Sequence, residues 1–262
     1  LHFFVKFVAM IKVSIIGSGN VAQHLIQAFQ LNSQIELVQV VARDIKKVAH
    51  LLDSNRITTD YTQLQEADLY IIAVADDAIA KVSSALPFKN RLVAHTSGTV
   101  SLNSLDPKNR RAVFYPLQTF SKEKPIDFKS VPICLEAENE KDVQTLKQLA
   151  HSISNAVYEI NSEQRKALHV AAVFVNNFVN HLYQVGNEIC DANAIPFAIL
   201  KPLIQETANK IATLSPKNAQ TGPAKRNDLK TIAAHEEFLK DENQAAIYKL
   251  LTQSLQNNGK KL

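Results

Sequence analysis

Tryptophan is absent from this 262-residue chain, methionine occurs once, cysteine twice and glycine six times. Two cysteines, Cys134 and Cys190, are too few for a disulfide framework or a cysteine-rich zinc site, so no metal centre is expected. They read as free buried thiols in a reducing compartment. Charge of one sign is also lacking. The net charge is +4, with basic and acidic residues interleaved, which gives no basic patch for nucleic acid. The apolar opening stretch LHFFVKFVAM is too short for a bilayer, which needs about 20 apolar residues, and it lacks the basic start and cleavage region of a secretory signal. Neither a membrane nor a nucleic-acid partner is expected, and a cytoplasmic location is. Met10 stands directly before a strand pattern, so residues 1–9 read as an N-terminal extension, and the polar tail Asn257–Leu262 reads as frayed.

What is present is an ordered alternation. Apolar runs at Lys12–Ile16, Leu37–Val41, Leu69–Val74, Arg91–His95, Ala112–Tyr115, Ile133–Ala137 and Val157–Ile160 predict strands. Helical patterns lie between them at Val21–Gln30, Ile45–Leu52, Ala78–Leu86 and Glu140–Ser154. Such alternation predicts an α/β domain with a mainly parallel sheet over residues 10–160. From residue 161 to 262 the pattern is helical throughout: one long helix over Ser162–Asp191, then Phe197–Leu214, Leu229–Leu239 and Glu242–Asn257. An all-α C-terminal domain follows from that.

Scarce glycine makes its placement informative. The first strand runs straight into Gly17-Ser18-Gly19-Asn20-Val21-Ala22, a G-x-G-x-x-A turn opening a helix. In that setting the first glycine permits the tight turn and the second lets backbone approach a pyrophosphate, while Ala22 allows close packing of helix on strand. The free N–H groups and helix dipole near Asn20 and Val21 favour phosphate. About 20 residues on, the second strand ends in Ala42-Arg43-Asp44. An acidic residue there binds the ribose of NAD and an arginine accommodates the 2′-phosphate of NADP. Arg43 comes first and Asp44 reads as a helix cap, so NADP is favoured over NAD.

Ligands of open α/β sheets sit beyond the carboxyl ends of the strands. Ala75 can lie against the nucleotide, while Asp76 or Asp77 reads as the cap of the next helix. Ser97, in Thr96-Ser97-Gly98-Thr99, can hold a nicotinamide amide or a substrate carbonyl. Tyr115 or Gln118 can line the cleft. On an ideal long helix, at about 100° per residue, His169, Asn176, Asn180 and Asn187 share a face opposite Phe174, Phe178, Leu182 and Val185. His169 suits a general acid, since its ordinary pKa lies near neutrality, and Asn176 can orient an acceptor. The bend Thr221-Gly222-Pro223 presents Lys225 and Arg226 to an acidic group or phosphate.

Together GSGNVAQHL, AHTSGTVSL, YPLQTFS, LHVAAVFVNNFVNHLY and AQTGPAKRND resemble a bacterial family of Rossmann-like NADP oxidoreductases with a helical C-terminal domain of unknown function. The layout is more distantly similar to pyrroline-carboxylate reductase, ketopantoate reductase and the 6-phosphogluconate and 3-hydroxyacid dehydrogenases. That resemblance implies a 6-phosphogluconate dehydrogenase-like fold, an N-terminal NADP domain, and a helical domain that builds a homodimer. It also implies a small-molecule acceptor between the domains, with a C=O, C=N or deazaflavin-like group to take a hydride. The hydroxyacid dehydrogenases carry a Lys-x-x-x-Asn at the start of the second domain. Here that stretch holds His169, Val173, Asn176 and Asn177, with no such lysine. The departure argues against hydroxyacid chemistry and leaves open a dinucleotide-binding sensor with little turnover.

Overall fold

The computed structural model of the chain describes residues 10–122 and 124–257. The expected N-terminal extension, residues 1–9, and the last five residues of the expected frayed tail lie outside the described residues. The chain divides into two compact units, one ending at Val173 and the next beginning at Phe174. The helical pattern expected to open the second domain at residue 161 therefore starts inside the first unit.

That unit is built on an eight-stranded sheet in the order β3-β2-β1-β4-β5-β6-β7-β8. The strands are β1 (Ile11–Ile16), β2 (Ile35–Val41), β3 (Ile57–Thr58), β4 (Leu69–Ile72), β5 (Leu92–His95), β6 (Arg110–Pro116), β7 (Ile133–Ala137) and β8 (Val157–Glu159). Every neighbouring pair is parallel except β6 with β7. All four residues of β4 and of β5 are buried, as expected of strands covered on both faces. Helix α1 (Asn20–Gln30) buries Ala22, Leu25, Ile26 and Phe29, the spacing of one helical face. Helix α2 (Ile79–Ala85) follows β4, and α3 (Glu140–Ile153) starts at Asn139, whose side chain accepts from the Asp142 amide. Strand order reverses between β1 and β4. That is the switch point of a doubly wound sheet, where a crevice opens beyond the strand ends.

Several local expectations are corrected. Ile45–Leu52 is not a helix but a 3₁₀ turn at Ile45–Lys47 followed by hydrogen-bonded turns. Val48 and Leu52 are buried there, so the apolar spacing was met by tight turns. The two-residue β3 carries too little pattern to be predicted. Asp76 and Asp77 do not cap: the cap position is Ala75, and no side chain caps that turn. The long helix is interrupted. Helix α4 (Ser162–Ala172) passes into a π-helical turn, Val173–Phe178, before α5 (Val179–Ala192). A π turn departs from 3.6-residue periodicity, so the spacing that joins His169 to Asn176 does not carry through it, while Asn180 and Asn187, seven apart, share a face of α5. Phe197–Leu214 likewise resolves into a 3₁₀ turn, α6 (Lys201–Lys210) and further turns.

The second unit continues with α7 (Pro216–Ala219), α8 (Pro223–Arg226), α9 (Leu229–Phe238) and α10 (Glu242–Asn257). Among its described residues only Cys190, Ala224, Ile232 and Thr252 are buried. No described helix is long and apolar enough to cross a membrane.

Candidate functional site

The turn after β1 is shaped by its two glycines in different ways. Gly17 has φ +141°, and a Cβ there would stand 2.0 Å from the Ala73 carbonyl oxygen at the end of β4. Glycine is therefore obligatory, because both backbone strain and collision exclude a side chain. A Cβ on Gly19 would meet nothing within 4 Å, so the space before it is an open cradle. Gly19 is the N-cap of α1 and no side chain caps the helix, which leaves its first amides free for an anion. Ala22 is fully buried against the sheet. Asn20 Nδ2 donates to the Phe120 carbonyl at 2.8 Å, drawing the segment after β6 over this turn.

Beyond β1 and β4 lies a cleft of about 790 Å³ lined by Gly17, Ser18, Gly19, Asn20 and Val21, and by Arg43, Ala75, Thr96, Gln118 and Phe120. All seven residues expected to bind a cofactor, Gly17 to Val21, Arg43 and Ala75, line this one space. Lys47, Thr59, Tyr61 and Lys81 line it too, and sequence reasoning missed them. Lys47 follows Arg43 by four positions, and that spacing was the available signal. Asp44 is occupied elsewhere, its carboxylate accepting from the Lys46 amide at 3.2 Å. The described lining thus holds three cations, Arg43, Lys47 and Lys81, and no carboxylate.

The loop after β5 is braced from within. The Ser97 hydroxyl is 6% exposed and accepts from the amides of Thr99 at 3.1 Å and Val100 at 3.0 Å. Those bonds give Ser97 a structural task in shaping the loop. The Ser97 amide donates to His95 Nδ1 at 3.1 Å, which fixes the neutral ring with its proton on Nε2. Burial, and then the Arg165 guanidinium, push the His95 pKa down to about 4. Asp76 accepts from the Thr99 hydroxyl at 2.7 Å, tying the ends of β4 and β5 together. Gln118 uses its amide oxygen to accept from the Thr119 amide.

Helix α4 is clamped to this loop. Arg165, 1% exposed, pairs with Glu136 on β7 and donates to the Val100 carbonyl. Glu136 also accepts from the amide and hydroxyl of Ser162. One turn beyond Arg165, His169 Nδ1 lies 3.1 Å from the Tyr115 hydroxyl at the end of β6. Burial holds the Tyr115 pKa at about 12, so this hydroxyl keeps its proton across the working pH range. Asn176, in the π turn, and Lys225 and Arg226, on α8, are exposed and belong to the second unit. Both cysteines are free and buried.

Two families match the chain. Residues 12–97 match one described as NADP oxidoreductase, coenzyme F420-dependent, and residues 131–255 match a domain of unknown function, DUF2520. No curated protein matches it. Among solved structures, the chain is 37% identical to a putative NADP oxidoreductase from Bacteroides fragilis, with TM-score 0.85 over 95% of this chain and 99% of that one. A Thermotoga maritima protein is 22% identical, with TM-score 0.79 over 95% and 100% of the two chains. A reductive aminase from Aspergillus terreus, solved with NADPH and ethyl-5-oxohexanoate, shares the fold at 13% identity and TM-score 0.68 over 96% and 95%. The doubly wound sheet followed by helices is thus the α/β fold expected from the sequence, and the Bacteroides oxidoreductase shares it. Given its likeness to the Bacteroides protein along nearly its whole length, the chain belongs to the family of NAD(P)-dependent oxidoreductases that join a Rossmann domain to a DUF2520 region.

Proposed function

We propose that this protein is an NADPH-dependent reductase of a small C=O, C=N or deazaflavin-like acceptor. One observation carries the choice of NADPH: a switch-point cleft lined, among the described residues, by three cations and no carboxylate. A ribose hydroxyl recruits an acid and a 2′-phosphate recruits cations. Arg43 and Lys47 suit that phosphate, while Gly17 to Val21 suit the pyrophosphate. The open cradle at Gly19 and the uncapped amides of α1 support this fit. NADPH supplies the hydride, so the protein's own work is positioning and proton supply. Ala75 and Thr96 line the cleft from the strand ends. His169 is the group for the proton, and Ser97 shapes the loop beside it. We further propose that a second copy of the chain covers the apolar faces of the helical unit.

Titration calorimetry with NADPH and NADH tests the cofactor choice. NADPH binds more tightly, and Arg43→Ala and Lys47→Ala each weaken it about tenfold, or about 1.4 kcal/mol, while leaving NADH unchanged. Equal affinity for the two cofactors overturns it. Turnover is then read with imines, keto acids and deazaflavins. Tight NADPH binding with no oxidation across these three classes rejects the reductase and favours a sensor.

A further inference from the structure

Gly98 poses a question that its backbone does not answer. Positive φ among the described glycines is confined to Gly17 and Gly222, so the conformation at 98 is one that other residues adopt. What excludes a side chain is contact. A Cβ on Gly98 would lie 2.5 Å from His169 Nδ1 and 2.8 Å from Cζ of Tyr115. The loop backbone is pressed onto the junction where Tyr115 and His169 meet, on three segments: the β5 loop, β6 and α4. The three are tied into one another. Ser97 braces the loop, β7 pairs with β6 opposite Tyr115, and Arg165 joins α4 both to Glu136 on β7 and to the Val100 carbonyl of the loop. A connected set of anchors converging on one 3.1 Å contact indicates a contact whose geometry matters.

We propose that Tyr115 is the positioning residue of His169, holding the neutral imidazole with its proton on Nε2, and that Gly98 is glycine to admit the pair. This rests on the reading of His169 as the proton-supplying group. A phenol donates a hydrogen bond to an imidazole nitrogen better than it accepts one, and Tyr115 keeps its proton at any working pH. The O–H of Tyr115 therefore donates to Nδ1, and Nε2–H is the ring's free donor; among the described residues it has no hydrogen-bond partner. In the protonated ring the roles at Nδ1 exchange: Nδ1–H donates to the Tyr115 oxygen and Nε2–H still faces outward. Bound NADPH would supply hydride to the acceptor carbon, and this imidazolium would give its Nε2 proton to the acceptor heteroatom. The ring, left neutral with its proton on Nδ1, gains a solvent proton at Nε2 and loses the Nδ1 proton to solvent, which restores the Nε2–H ring that Tyr115 holds. Tyr115 gains and loses nothing in the cycle. The hydroxyl works as a reversible partner and not as an acid.

The test reads the tautomer directly, by long-range ¹H–¹⁵N correlation on the full protein labelled at histidine, with His169→Gln assigning the resonance. In the wild type at alkaline pH, the neutral His169 ring is in the Nε2–H form. In Tyr115→Phe that preference is lost and the two tautomers mix; Gly98→Ala, which drives the pair apart, gives the same loss. An Nδ1–H ring in the wild type overturns the proposal, and so does an Nε2–H preference that survives Tyr115→Phe. The wild-type measurement stands even if a variant misfolds. NADPH titration of the same samples reports folding and, separately, the cofactor reading: a lost tautomer with intact binding indicts the pair alone, and the reverse indicts the cleft.

Discussion

The two compact units bury their side chains in opposite measure. In the first, strands, α1 and α3 share one continuous core running from Ile11 to Ile153, with Val13, Ile15, Leu25, Phe29 and Phe114 fully inaccessible. In the second, Phe174 is 63% exposed, Phe178 50%, Leu203 63% and Phe238 58%. Both are rich in apolar residues, so composition does not separate them. The difference lies in how the residues are partnered. A sheet covered by helices satisfies its own apolar faces, whereas the helices of the second unit present apolar side chains that the described residues leave exposed. Folding free energy scales with apolar area removed from water, roughly 25 cal/mol per Å². The first unit collects that term from its own chain; on the second-copy proposal, the helical unit collects it between chains.

The sharpest break of this comparison is a cavity in the self-sufficient core. Phe114, at 0% exposure, lies on β6 between β5 and β7. Phe114→Ala is expected to lower stability by about 3–5 kcal/mol. Because the lost contacts are all within one chain, the midpoint of denaturant unfolding falls by the same amount at every protein concentration. A shift that depends on concentration would show that this core, too, is completed by a second copy.

Acid should act on the same unit somewhat less strongly. His95 is fully buried with its pKa lowered to about 4 from an ordinary 6.5. The folded value lies below the unfolded one, so the unfolded chain binds the extra proton first. The stability this gives is fully present above pH 6.5 and is lost as pH falls toward 4. At 1.36 kcal/mol per pH unit the loss is about 3 kcal/mol. Urea unfolding followed from pH 7 to pH 4 reads it directly. His95→Asn keeps an acceptor for the Ser97 amide but does not titrate in this range, and it should flatten that part of the profile. An unchanged acid limb would assign the loss to other groups.

Much of this contrast was legible in the sequence, and the reasons for the gaps are local. Buried parallel strands announce themselves as apolar runs, and the G-x-G-x-x-A turn names its own geometry, so the cleft residues from Gly17 to Val21 and Arg43 could be read one by one. Asp76 looks like a cap by position, yet its carboxylate accepts from Thr99 on a neighbouring strand end, a choice set by the sheet. The amide stripe failed because Val173–Phe178 winds as a π turn, and 100° per residue no longer relates His169 to Asn176. The Tyr115–His169 pair was beyond any spacing rule. Its members lie 54 positions apart and meet where Arg165 and Ser162 clamp α4 to β7. Sequence pattern records what a residue does along its own element. It records nothing of which elements meet.

The smallest single effect is expected in the helical unit, and it differs from the Phe114 cavity in kind. Phe178 stacks edge-on against Phe174 at a centroid distance of 5.1 Å, and half of it is open to solvent. If a second copy covers the stripe of Phe174, Phe178 and Leu182, truncating Phe178 removes contact area between chains more than within one. Phe178→Ala should then cost about 1–3 kcal/mol, by the area a large apolar side chain removes from water. That cost should enter through the monomer–dimer equilibrium. The wild type should then sediment as a dimer, with an unfolding midpoint that rises with protein concentration. The variant sediments with a detectable monomer fraction at concentrations where the wild type shows none, and its unfolding midpoint falls most at the lowest concentration. A wild-type chain that sediments as a monomer with its stripe bare would overturn the second-copy proposal.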